Sequence, residues 1–149
     1  MFLSCRSATR RRGRLESVRN LYRKFGGENT REARALRLLR EWLSPQQRAQ
    51  FEENGYFEVL GFDTGKRYRI YYGTMSNVYE IDHVGRPRMA WCLVPSGYLA
   101  TGDVMLAQKI ALETSERAAL AVANRFLPRQ ASSASSPHGS AHPVDRAPR

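Results

Sequence analysis

The chain has 149 residues, of which 42% are hydrophobic and 26% are charged, as is usual for a single globular domain. Its net charge of +10 is uneven, because residues 1–30 hold eight basic and two acidic side chains whereas residues 31–127 hold thirteen and eleven. Two cysteines are too few for a disulfide framework and no apolar run approaches the length of a membrane span, so we expect a cytoplasmic protein with no membrane partner.

Residues 1–29 are predicted to be a basic, disordered arm. Its apolar residues recur at roughly helical spacing, so the arm could fold as an amphipathic helix on a partner. Arginine runs bind phosphates without sequence choice, and such binding depends strongly on salt. The candidate nucleic-acid contacts are Arg10, Arg11, Arg12, Arg14, Arg19, Arg23 and Lys24. A solubilising tail without a ligand is the alternative interpretation.

Two helices are predicted after the arm. Thr30 is placed to cap the first helix, whose apolar residues form a stripe over residues 31–43. The run "SPQQ" then has a serine cap, a proline at the first helical position and a glutamine three residues after the cap. A second, shorter helix is therefore predicted to begin at Pro45 and to end near Gly55.

Four strand-like runs with turn signals between them come next. Their predicted spans are Tyr56–Gly61, Lys66–Tyr72, Asn77–Asp82 and Arg88–Val94. Short turns fix which residues of antiparallel strands lie opposite one another, and one choice of register gathers the apolar residues on a single face. The apolar rows predicted by that register are Phe57–Ile70–Tyr79–Trp91 and Val59–Tyr68–Ile81–Met89.

The other face of the predicted sheet carries charges. The run "GKRYRIYYG", residues 65–73, interleaves basic and aromatic side chains as single-stranded nucleic-acid sites do. In the predicted register, however, Arg67 and Arg69 already lie opposite acidic residues. Those acidic residues are Glu58, Glu80 and Asp82. The pattern therefore favours a self-paired, solvated sheet face over a nucleic-acid site.

A long helix is predicted over residues 104–126, with a kink or break at Thr114-Ser115. Projection at 100° per residue puts a polar stripe on one side of this helix, where contact with water is expected. The members of that stripe are Lys109, Glu113, Glu116 and Arg117. The first turn is apolar nearly all round, so the helix is expected to begin inside the protein.

Two polar residues of the long helix are predicted to have structural roles. A buried helix start needs partners for its N–H groups, and Asp103 or Thr101 is placed to supply them. Gln108 projects into the apolar arc of the helix, so it must find buried hydrogen-bond partners. We expect Gln108 to bond to the backbone of the sheet or of a loop.

No catalytic residue, metal ligand or cofactor is predicted. The sequence has no phosphate loop, no nucleophile elbow and no dinucleotide fingerprint. Cys92 has no histidine placed by pattern to stabilise a thiolate, so a buried structural thiol is favoured over a nucleophile. The histidines and cysteines are too scattered for metal-ligand spacing. The acidic residues that only tertiary structure could bring together are Asp63, Asp103, Glu113 and Glu116.

The predicted fold is α+β, with two N-terminal helices, a four-stranded antiparallel meander and one long C-terminal helix packed on the sheet. It is expected to be one compact domain over residues 30–127. Residues 128–149 are rich in Ser, Ala and Pro, and we expect a disordered tail there because they bury too little apolar surface to fold.

The runs "WLSPQQRAQFEENGYFEVLG", "YRI", "WCLVP" and "GDVMLAQKIALE" resemble a group of small bacterial and phage-borne proteins across residues 33–126. That group has no established activity. The resemblance therefore implies one compact domain with variable ends, and it supplies no catalytic residues.

Three classes of function follow from the sequence. The first is a small non-enzymatic binding or adaptor protein with an unknown protein partner. The second is a nucleic-acid-associated accessory protein, tethered without sequence choice through its arginine-rich arm. An enzyme with an unrecognised site comes third, because no set of nucleophile, base and orienting group is visible in the sequence.

Overall fold

The computed structural model describes residues 29–128, together with the single positions Glu16 and Asn20. The described chain is α+β, as predicted, with three helices and one antiparallel sheet of five strands in the order β1-β2-β3-β4-β5. The helices are α1 (Arg31–Trp42), α2 (Pro45–Asn54) and α3 (Thr101–Val122). The strands are β1 (Tyr56–Leu60), β2 (Arg67–Tyr71), β3 (Val78–Ile81), β4 (Pro87–Cys92) and β5 (Asn124–Phe126).

Both predicted helix starts in the N-terminal half are confirmed. The Thr30 hydroxyl accepts a hydrogen bond from the N–H of Ala33 at 3.2 Å. At the start of α2, the Ser44 hydroxyl accepts from the N–H of Gln47 at 3.2 Å, and the N–H of Ser44 donates to the Gln47 side chain at 3.1 Å. Gly55 ends α2 in the left-handed region, at a φ of 72°, where glycine is favoured.

The helices cover one face of the sheet and form the core with it. The buried core residues are Leu36, Leu39, Leu43, Phe51, Phe57, Val59, Tyr68, Ile70, Val78, Met105, Leu106 and Leu112. α1 crosses α3 closely at Gly102, where an added Cβ would lie 2.5 Å from the backbone carbonyl of Ala35. A side chain at Gly102 would therefore force the two helices apart.

The predicted register is confirmed between β1 and β2, where Phe57 pairs with Ile70. It is wrong by one residue between β2 and β3, where Ile70 pairs with Val78 and not with Tyr79. The shift begins at the turn, where Asn77 lies opposite Tyr71 and not Tyr72. The N–H of Tyr71 donates to the Asn77 carbonyl at 2.9 Å, and the Asn77 Nδ2 donates to the Tyr71 carbonyl at 3.0 Å.

The register between β3 and β4 is shifted as well, since Tyr79 pairs with Ala90 and a bulge follows Glu80. Tyr79 therefore lies on the face away from the helices, called the outer face below. Glu80 pairs with Tyr68 and lies on the helix-covered side, where it forms an ion pair with Lys66 at 3.1 Å.

The fifth strand was not expected, because the long helix was predicted to continue to Phe126. α3 instead ends at Val122, and Phe126 pairs with Ala90 of β4. This short strand supplies backbone partners to β4, which would otherwise form the edge of the sheet.

Candidate binding groove

α3 is interrupted near its middle, as predicted, because Ser115 has the non-helical angles φ −151° and ψ 49°. The loop between β1 and β2, residues 61–66, fits into the break. The N–H of Phe62 donates to the Leu112 carbonyl at 3.0 Å, and the Asp63 carboxylate accepts from the N–H of Arg117 at 2.8 Å. The loop thus replaces backbone hydrogen bonds that the helix loses at the break.

Glu116 anchors the same loop from the helix side. Its side chain has 0% exposure, and one carboxylate oxygen accepts the N–H groups of Asp63 and Thr64 at 2.9 and 2.8 Å. The other oxygen accepts the hydroxyls of Thr64 and Tyr68 at 2.5 and 2.6 Å. Burial by itself raises the pKa of Glu116, but the hydrogen bonds from Thr64 and Tyr68 outweigh it and hold the pKa below its ordinary value.

Asp63 and Glu116 belong to the four acidic residues that only tertiary structure could bring together, and the fold does place their two segments in contact. Their carboxylates accept backbone N–H groups from each other's segment, which holds the loop to the broken helix. Gly61 fits this contact because an added Cβ would overlap the Glu116 carboxylate. This arrangement is architectural, since both oxygens of Glu116 and one oxygen of Asp63 are engaged by donors of the fold.

The predicted solvated stripe of α3 is wrong for two of its members. Glu116 is fully buried, and Lys109 retains only 9% exposure beside Glu113, with which it forms an ion pair. Glu113 also accepts from the side chain of Gln47 at 3.3 Å. Glu116 is covered by the β1–β2 loop, which a projection of one helix cannot reveal.

Gln108 behaves as expected from its position in the apolar arc. It has 1% exposure, and its side-chain nitrogen donates to the Leu93 carbonyl at 2.7 Å, just after β4. Its amide also exchanges two hydrogen bonds with the buried amide of Asn77, at 2.8 and 2.9 Å. The pair joins α3 to the β2–β3 turn and to the end of β4.

The predicted cap at the start of α3 is wrong. The helix begins at Thr101, and its cap residue is Ala100, which has no side-chain group that can bond to the first turn. The N–H of Thr101 donates instead to the Glu32 carboxylate of α1, at 3.2 Å. Asp103 lies in the first turn, where its negative charge interacts favourably with the helix dipole.

The outer face pairs its charges internally, and the predicted pairing of Glu58 with Arg69 is confirmed. Arg67 pairs with Glu58 as well, and not with Asp82 as predicted. Glu58 bonds to both Arg67 and Arg69, at 2.6 and 2.7 Å, and these arginines hold the pKa of Glu58 below its ordinary value against the raising effect of burial. The Arg69 guanidinium also lies 4.3 Å from the ring centroid of Tyr56. Glu80, which was expected here, lies on the opposite face.

The free side of β1 is an edge of the sheet, and α2 partly covers it. The N–H of Glu58 donates to the Gln50 side chain at 3.0 Å, and the Glu58 carbonyl accepts from the Gln47 side chain at 2.9 Å. Two glutamines of α2 thus satisfy backbone groups that an edge strand would otherwise expose.

Beyond these glutamines, a groove of about 550 Å³ opens between the start of α2 and the end of β1. We call it the edge groove. Its lining includes Gln46, Gln47, Gln50, Glu58, Val59, Leu60, Gly61, Phe62, Arg67 and Glu113. Leu60 and Phe62 are 62% and 70% exposed, so two large apolar side chains stand at one concave surface. Sequence reasoning missed this groove, although the apolar run "VLGF" breaks the strand alternation there.

The remaining sequence candidates do not add to this site. Cys92 is half-buried rather than buried, and within residues 29–128 no group of His, Cys, Asp and Glu is arranged to hold a metal ion. The basic arm residues lie outside the described residues. They are Arg10, Arg11, Arg12, Arg14, Arg19, Arg23 and Lys24.

Comparison of the chain with protein-family models, with curated proteins and with solved structures gives no match in any of the three. The resemblance suggested by the sequence runs therefore stays a prediction. Among the helices of the described residues, none combines the length and the apolar character needed to cross a membrane.

Proposed function

We propose that this chain is a small non-enzymatic binding protein and that the edge groove is where it binds another protein. The observation that carries the proposal is the exposure of Leu60 and Phe62 together at the rim of one groove. Single exposed apolar residues are common on protein surfaces, but adjacent ones beside a concavity are typical of binding sites.

The charges around the groove support binding through shape and apolar contact. Glu58 is paired with two arginines, and Glu113 is paired with Lys109. The groove therefore offers a partner side-chain amides and apolar surface, together with charged side chains that already form ion pairs. Apolar contact with a polar surround is the usual composition of protein interfaces.

The test is site-specific photo-crosslinking in the source cell. The photoreactive residue p-benzoylphenylalanine replaces Phe62 in one variant and Tyr98 in a matched control. Tyr98 is also an exposed aromatic residue, but it precedes α3, whose first residue Thr101 lies about 18 Å along the helix axis from Glu113. We expect a defined protein adduct from position 62 that is missing from position 98. No adduct at 62, or the same adducts at both positions, would remove the groove as the binding site.

The alternative function is attachment to nucleic acid through the arm. It is supported by the concentration of eight basic against two acidic residues in residues 1–30. Deleting residues 1–27 should then abolish salt-dependent binding to an oligonucleotide, measured by fluorescence anisotropy. If the full-length chain shows no salt-dependent binding, this alternative is lost.

A further inference from the structure

We infer that the partner enters the edge groove as an extended, uncharged peptide segment that adds to β1 as a new edge strand. This inference rests on the proposed function and specifies its ligand. Three observations carry the inference. The backbone groups of Leu60 point away from β2, the two glutamines of α2 bond to Glu58 and not to Leu60, and the charged side chains of the groove are already held in ion pairs.

The hydrogen bonds around β1 fix which residues point outward. The N–H of Gly61 donates to Lys66 at 2.8 Å, and the N–H of Tyr72 donates to Gly55 at 2.9 Å, so the odd-numbered residues of this segment pair with β2. In an antiparallel ladder the intervening residues direct their N–H and C=O groups away from the partner strand. Glu58 and Leu60 therefore present their backbone groups to the free side of β1.

The two outward residues differ in what they meet. Both backbone groups of Glu58 are bonded by Gln47 and Gln50. Within residues 29–128, no hydrogen bond reaches the N–H or the C=O of Leu60, and Leu60 lines the edge groove. Tyr56, the remaining outward residue of β1, does not line the groove, so Leu60 is the open part of the edge within the groove and lies where α2 no longer covers β1.

An added strand would bond to Leu60 in the alternating manner of β-augmentation. Side chains two residues apart on such a peptide lie on one face, separated by about 6.6 Å. Leu60 ends β1 and Phe62 lies in the turn that follows, and both side chains are exposed. A peptide whose backbone bonds to Leu60 can therefore place one apolar side chain against Leu60 and extend past the end of β1 towards Phe62.

The charge of the groove selects among peptides. Its carboxylates, Glu58 and Glu113, are paired with neighbouring basic side chains, and Arg67 shares Glu58 with Arg69. A charged peptide would lose hydration without gaining an unpaired counterion. An uncharged segment with apolar side chains fits this balance better than an acidic or basic one.

The first test is a titration of the isotopically labelled full-length chain by NMR. The probe is the peptide acetyl-Val-Thr-Val-Thr-Val-amide, and the controls are its fully N-methylated form and acetyl-Asp-Thr-Asp-Thr-Asp-amide. We expect saturable shifts at the amides of Leu60 and Phe62 with the probe, and binding at least about tenfold weaker with each control. Equal binding of the N-methylated peptide, no saturable shift, or larger shifts at the other edge strand, β5, would overturn the inference.

A second test changes only the backbone of the protein. Replacing Leu60 by its α-hydroxy analogue keeps the side chain and deletes the N–H. We expect about tenfold weaker binding of the probe with shifts elsewhere unchanged, because no bond within residues 29–128 uses that N–H. Unaltered affinity would overturn strand addition.

Two further outcomes separate the possibilities. A crosslink at Phe62 without binding of the probe would remove strand addition but leave the groove as a binding site. Absence of that crosslink would remove the proposed function itself. If instead the shifts at Leu60 depend on protein concentration and sedimentation shows a dimer, the occupant is a second copy of the chain, and the inferred peptide partner is wrong.

Discussion

Replacing Glu116 with glutamine tests the contact that holds the β1–β2 loop, and with it the rim of the edge groove. Glutamine has the same shape but no charge. Its oxygen can still accept the backbone N–H groups of Asp63 and Thr64, and its NH2 group can face the two hydroxyls, which are able to accept. The change therefore weakens the two backbone hydrogen bonds and removes the acceptor of the buried Tyr68 hydroxyl.

The magnitude follows from the charge of the acceptor. A hydrogen bond to a charged group contributes about 1 kcal/mol more than a neutral one, and two backbone bonds lose this increment. Because the Tyr68 hydroxyl also loses its acceptor, we expect the free energy of unfolding of Glu116→Gln at neutral pH to fall by at least about 2 kcal/mol in urea denaturation followed by circular dichroism. Glu113→Gln is the matched control on the same helix, and because that carboxylate is partly exposed we expect a loss below about 1 kcal/mol.

The pH dependence gives a second, independent readout. The pKa of Glu116 is lowered in the folded state, so its stabilisation is fully present above the ordinary pKa and is lost as the pH falls through the folded value. The difference in unfolding free energy between wild type and Glu116→Gln should therefore shrink as the solution is acidified below that ordinary pKa. Equal stability at neutral pH, or a difference that grows with acid, would refute the role assigned to the carboxylate.

Three further substitutions test other contacts. Gly102→Ala would stabilise an isolated helix, but at this crossing the added Cβ would lie 2.5 Å from the backbone of Ala35. We therefore expect urea denaturation to show a loss of about 1–3 kcal/mol in unfolding free energy, and a gain would contradict the close approach of the helices. Gln108→Leu removes the buried partner of Asn77 and should cost about 1–3 kcal/mol by the same assay, so unchanged stability would contradict the amide pair. Gln50→Ala uncovers an outward N–H of β1, and we expect more self-association in sedimentation velocity; a variant as monomeric as wild type would contradict the edge-covering role.

The features that were predictable from sequence depend on neighbours in the chain. The caps of α1 and α2 follow from Thr30 and Ser44, whose side chains bond within three residues. The β1–β2 register follows from a short turn and an apolar alternation. The break near Ser115 was also visible, because Thr and Ser together weaken a helix.

The features that were missed depend on residues far apart in the chain. Asn77 lies opposite Tyr71 while its side-chain amide pairs with Gln108, thirty-one positions later, and β3 is shifted by one residue from the predicted register. Glu116 is buried because a loop from the other end of the domain encloses it. The edge groove lies between α2 and the part of β1 that α2 does not cover. It is formed by two elements together, so the sequence of either one alone does not predict it.

The most direct measurement is amide hydrogen exchange at Leu60 and Glu58 in the full-length chain, with and without the probe acetyl-Val-Thr-Val-Thr-Val-amide. Without the peptide, we expect the Glu58 amide to be protected by Gln50 and the Leu60 amide to exchange rapidly. With the peptide in excess, the Leu60 amide should become protected. A Leu60 amide that is already as protected as that of Glu58, or one that the peptide leaves unchanged, would contradict an open edge that receives a strand.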